Sequence, residues 1–207
     1  MTAEGATTAP RWLVLRTLRI RGRADRAHLD EVLGAIVAEP GLRDLVAEGY
    51  VEHKAGLLGG YRLTAAGALE QDRLAAELLT GVQQGAMAAL DEDFAPLNRR
   101  VKEVVSAWQL RSDGSLNDHS DSAYDRRVGR EIVELHTPVS AWFDRAIAPL
   151  PWFERYRKRL DRAVAAVRRG DHRWIVAPTT DSYHTVWFEL HQDLLLALGR
   201  PRVNGED

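Results

Sequence analysis

Apolar positions from Arg11 onward follow helical spacing. Trp12, Leu15, Leu18 and Arg19 recur every three or four residues until Gly22 ends the run. A second helix is predicted over 25–33, with Leu29, Val32 and Leu33 on its apolar face and Gly34 as its break. A third should start near Pro40, present Leu42, Leu45 and Val46 inward, and stop at Gly49. Two short alternating runs follow, Tyr50–His53 and Tyr61–Thr64. The glycines between them suit a hairpin tip.

The rest reads as helix. Expected segments are 65–79 and 83–94, then a stripe of Leu97, Val101, Val104, Val105 and Trp108. Arg111–Ser120 is too rich in Asp, Ser, Asn and Gly to be anything but a loop. Asp121 or Ser122 can cap the next helix, striped by Tyr124, Val128, Ile132 and Leu135 and interrupted at Pro138. Phe153, Tyr156, Leu160, Val164 and Val167 stripe another, and a capped helix runs from Asp181 to Leu198. The fold class expected is mainly α: a winged helix-turn-helix of three helices plus a β-hairpin wing, then an antiparallel helical bundle. Its parts are a flexible tail (1–10), a winged-helix domain (11–75) and the bundle (76–207).

Composition narrows the classes. Of 207 residues 45% are hydrophobic, and 28 basic residues stand against 30 acidic ones, a formal charge of −2; that suffices for one large core or two small ones. No apolar run approaches the roughly 20 residues of a membrane span, so no membrane partner is expected. The first ten residues lack a signal-peptide core, which makes the cytoplasm the expected location. The absence of cysteine removes disulfides and thiolate metal sites.

The pieces Leu29–Gly34, Leu45–Val51 and Tyr61-Arg62-Leu63-Thr64-Ala65-Ala66-Gly67 resemble MarR-type winged-helix regulators over about residues 11–75. The resemblance implies a DNA-binding domain. Residues 1–75 carry as many acidic as basic groups, and Glu39, Asp44 and Glu48 surround the single base Arg43 on the third helix. A major-groove helix usually presents Arg, Lys, Asn, Gln, Ser or Thr to base edges. The candidate DNA contacts are Arg19, Arg43, Lys54 and Arg62.

The second half holds a polar constellation. His184, Trp187 and His191 stand at i, i+3 and i+7 and share one helix face. Trp108, Asn117, His119, Asp121 and Tyr124, with Asp181 and Tyr183, complete the expected lining of a polar–aromatic pocket, provided the 117–121 loop folds over that face. If the site is catalytic, His119, Asp121 and His184 are its candidates, since a histidine beside an aspartate can act as general base. No HExxH, nucleophile elbow or glycine-rich phosphate loop occurs, so no metal or cofactor is expected. Arg155, Arg157, Lys158, Arg159 and Arg162 read as a solvated basic face, His28, His53 and His172 as solvated, and His136 as a helix-end residue. The strings WQLR…NDHSDSAYD and DSYHTVWFELHQDLLLALGRPR resemble an actinobacterial helical domain. That domain also occurs attached to phosphoenolpyruvate-utilising, phosphotransferase-like enzymes, and the likeness implies a shared small-molecule pocket. The leading expectation is a ligand-responsive, homodimeric transcriptional regulator binding double-stranded DNA. The alternative is a pocket protein or enzyme whose winged helix is scaffold or a protein-contact module.

Overall fold

The computed structural model describes residues 3–56, 59–79 and 81–200, without the side chains of 3–9, 35–40 and 81–84. The hairpin-tip Leu57 and Leu58, the side chain of Glu39, and Pro201 and Arg202 lie outside that description. The described chain is mainly helical with one two-stranded antiparallel sheet. It divides into two compact units, Met1–Gly81 and Val82–Asp207.

The first unit contains α1 (Ala3–Arg21), α2 (Arg26–Leu33), α3 (Ala35–Ala47), β1 (Val51–Lys54), β2 (Gly60–Leu63) and α4 (Ala65–Leu78). Helix α1 starts at Ala3, ahead of the expected Arg11. Its stripe of Trp12, Val14, Leu15 and Leu18 is buried with Leu29, Leu42, Leu45 and Leu74. Asp25 caps α2 by accepting from the His28 amide at 2.8 Å. Helix α3 begins at Ala35 rather than Pro40, because Gly34, at φ +81°, turns the chain straight from α2 into α3. The strands pair Val51 with Leu63 and His53 with Tyr61. The α1–α2 connection joins them: Ala24 and Tyr61 exchange backbone hydrogen bonds at 3.1 and 2.8 Å. Thr64 then caps α4, accepting from the Gly67 amide at 3.0 Å while its hydroxyl donates to the Gly49 carbonyl at 2.8 Å.

The second unit contains α5 (Gly81–Gln109), α6 (Ser122–Ala146), a 3-10 turn (Pro151–Phe153), α7 (Glu154–Arg168), α8 (Arg173–Val176) and α9 (Tyr183–Ala197). Helix α7 packs against both α6 and α9. Asp121 caps α6, accepting from the amides of Ala123 and Tyr124. Ser182 rather than Asp181 caps α9.

Two expected breaks are absent. Pro96 lies inside α5 and Pro138 inside α6. A proline inside a helix costs about 3 kcal/mol. Beyond Pro138, however, Val139, Trp142, Phe143 and Ala146 are all buried on the stripe begun by Val128 and Ile132. Each large apolar side chain so buried contributes about 1.5–3 kcal/mol, so packing outweighs the proline.

The solvated basic face on α7 also needs correction. Arg159 bonds Asp181 through Nε at 2.9 Å and Glu189 through Nη1 at 2.6 Å, and its side chain is 2% exposed. Arg155 donates to the buried Asp193 at 2.8 Å, and the Tyr156 hydroxyl donates to the same carboxylate oxygen. These cations link α7 to α9 from inside. His136, expected at a helix end, is buried mid-α6 with Nε2 2.7 Å from Asp161.

Candidate functional site

Helix α9 places His184, Trp187 and His191 along one groove facing α5. Trp187 forms its floor: the indole N–H donates to Asn98 Oδ1 at 2.9 Å, and Phe94 stacks on the ring at 4.7 Å. Asn98, Lys102 and Ser106 of α5 supply the opposite wall of this cavity of about 300 Å³. Asn98, Lys102, Ser106 and His191 also line an adjoining recess that continues to Arg200. Burial pushes His184 below the ordinary histidine range. An aromatic floor with imidazole, amide, hydroxyl and ammonium groups at its edges suits a small ligand with both a flat apolar part and polar substituents.

The Asn117–Asp121 segment does not line that groove. It folds back where α5 ends and α6 begins. Asn117 donates to the Trp108 carbonyl and to Asp125 Oδ1, both at 3.0 Å. With both amide hydrogens so used, the third neighbour of Asn117, His119 Nδ1, must carry its own proton. It donates that proton to Asp125, 3.1 Å away. Burial raises the Asp125 carboxyl, but its bonds from Asn117 and His119 prevail and hold it below the usual carboxylate range. His119 sits at φ +60°, the one non-glycine residue at positive φ among those described. Such backbone conformations cost about 1–3 kcal/mol and collect at functional sites. The remaining nitrogen, Nε2, keeps its lone pair in the neutral ring, on a side chain 44% exposed. The Trp108 ring lies 4.6 Å from His119 and 5.4 Å from His172.

The other candidates hold the frame. Asp121 is a helix cap. The Tyr124 hydroxyl donates to the Ala107 carbonyl at 2.8 Å, and the Arg111 and Arg127 guanidinium groups lie over its ring at 4.4 and 4.8 Å from the centroid. Asp181 belongs to the Arg159 pairing. Tyr183 is fully buried, and its hydroxyl has no hydrogen-bond partner among the described residues. No group of three or more His, Asp or Glu among the described residues is arranged to hold a metal ion, and no described helix is long and apolar enough to cross a membrane. Residues not singled out in the sequence are Asn98 and Lys102; Asp125 stands in the NDHSDSAYD string without an expected role, and His172, read as solvated, is half-buried beside Trp108. Asn98 and Lys102 lie one turn apart on α5; nothing local marks His172, whose neighbours come from other elements.

In the first unit Arg43 is 74% exposed on α3, and its one ion pair among the described residues is with adjacent Asp44 at 3.6 Å. Arg19 and Lys54 are exposed. Arg62 bonds Glu52 across the strands and shares a recess with Arg19 and Thr64. Arg11 grips Glu48 with two bonds, at 2.7 and 2.6 Å. Arg16 is buried over the Trp12 ring. Comparison with known protein families, curated proteins and solved structures gives no match to this chain.

Proposed function

We propose that the chain is a winged-helix transcriptional regulator that binds double-stranded DNA as a homodimer and responds to a small molecule. The observation that carries the reading is the two-way pairing of Ala24 with Tyr61. It adds a short third rung to the hairpin, and three helices followed by a hairpin with such a rung support the winged-helix reading. Helix α3 is then the recognition helix and offers Arg43 to base edges. Arg19, Lys54 and Arg62 face phosphates. The Arg11–Glu48 pair supports this reading, since it neutralises one of the acidic groups of the α3 region. The second unit serves as an antiparallel bundle whose groove at His184, Trp187 and His191 takes the effector.

A fluorescence-anisotropy titration of the full chain tests this, using its own upstream DNA and a scrambled duplex. The expected outcome is selective binding on the order of 10⁻⁸ M. Arg43→Ala should weaken it about tenfold, since a good base contact is worth about 1–3 kcal/mol. Equal affinity for both duplexes, or none, would overturn the reading.

A second reading has one observation in its favour. The Asn117–Asp125–His119 chain, with a positive-φ histidine and an available Nε2, is how a general base is oriented. In that case the molecule is a small-molecule-binding protein or enzyme, and its winged helix is a scaffold or protein-contact module.

A further inference from the structure

We propose that the second unit binds a phosphate group in a cleft separate from the α5–α9 groove, between the first half of α6 and the end of α7. The cleft encloses about 700 Å³, and its lining includes Arg126, Arg130, Arg168, His172 and Gly129. That volume accommodates a small organic ligand.

None of the three arginines has a carboxylate partner among the described residues. Arg130 and Arg168 make no ion pair among the described residues, and Arg126 bonds only the Ser122 hydroxyl there, at 3.0 Å. Exposed Arg127, Arg145 and Arg200 of this unit pair with Glu131, Asp93 and Asp91; Arg99 and Arg169, like the three in the cleft, have no ion pair among the described residues, and what distinguishes the three is that they line one cleft together. Arg126 and Arg130 are also spaced i, i+4, where like charges on a helix repel. An anion between them and Arg168 relieves that repulsion and supplies the missing partner.

The cleft's own acids compete weakly. Asp125 lines it, but its oxygens already accept from Asn117 and His119. Glu134 also lines the cleft and is exposed, as the three arginines are. Gly129 is part of the construction: a Cβ there would stand 3.2 Å from His172 Nε2, so its absence lets the imidazole lie against the α6 backbone. Guanidinium forks match phosphate oxygens with paired, charge-assisted hydrogen bonds. Three such groups around one cleft fit a phosphate dianion better than a single carboxylate. The inference is independent of DNA binding.

The test is isothermal titration of the full chain with inorganic pyrophosphate at constant ionic strength. Wild type should bind one equivalent saturably, and inorganic phosphate should compete. Arg130→Gln and Arg168→Gln lie at exposed positions, and their fold is checked by circular dichroism. Together they should cost at least about tenfold in affinity. Arg99→Gln, an exposed arginine outside the cleft, should leave affinity unchanged. No saturable binding, an equal loss in Arg99→Gln, or full affinity in the double variant would each overturn the proposal.

Discussion

Arg159 is a cation kept away from water by two carboxylates. Removing one partner of a buried ion pair typically costs about 3–5 kcal/mol, because the remaining charge stays buried. Arg159→Ala should therefore lower the urea-unfolding free energy by that order; a loss under about 1 kcal/mol would mean water replaces the guanidinium. Its burial was not legible in the sequence, since Asp181 and Glu189 lie 22 and 30 residues further on, and a run of arginines looks the same wet or dry. The histidines make a pH prediction. Burial lowers His184, and lowers His136 against the opposing bond to Asp161. Folding thus favours their neutral forms, and the unfolded chain takes up protons first as pH falls through about 6.5. The stability they allow is fully present above that value and declines below it, until the folded residues protonate too. Thermal midpoints should fall between pH of about 7.5 and 5.5, with a shallower fall in His184→Gln. A flat or rising midpoint would contradict this.

At the level of elements, local chemistry was readable wherever the deciding atoms are close in sequence. The Thr-x-x-Gly that follows β2 is the clearest case. Thr64 caps α4, and Gly67 has no Cβ because the Tyr50 carbonyl occupies that space. Gly67→Ala forces backbone apart and should destabilise the protein by about 1–3 kcal/mol, read by chemical denaturation; a change within about 0.5 kcal/mol would mean the α4 start shifts freely. The cap at Asp121 and the shared face of His184, Trp187 and His191 were legible for the same reason. The interruption expected at Pro138, and the end expected at Phe94, are absent because local rules contain no term for a stripe that stays buried on both sides of a proline ring. The pocket expected on α9 was conditional on the 117–121 loop folding over it, whereas the hydrogen bonds of that loop go to Trp108 and Asp125. That destination depends on the end of a 29-residue helix, which sequence spacing does not supply.

For the whole molecule, charge is mostly cancelled within each unit. In the first, Arg11, Arg26 and Arg73 are tied to carboxylates, and Arg62 would have to exchange Glu52 for a phosphate, so few cations are left to meet phosphates. With Arg19, Lys54 and Arg62 on phosphates from each of two chains, the proposed DNA complex should show a log–log salt slope of about −5. A slope steeper than about −8 would place other basic groups on the duplex. One feature of the second unit bears on how such a protein diversifies. Helix α6 carries Arg126, Gly129 and Arg130 on one side and Val128, Ile132, Leu135, Val139 and Trp142 in the core. Turning or sliding the helix to suit a different ligand would drag Trp142 out of register. Evolutionary change at this cleft is therefore channelled into swapping side chains on a fixed backbone, and drift in the core is constrained by whatever the cleft is selected to hold.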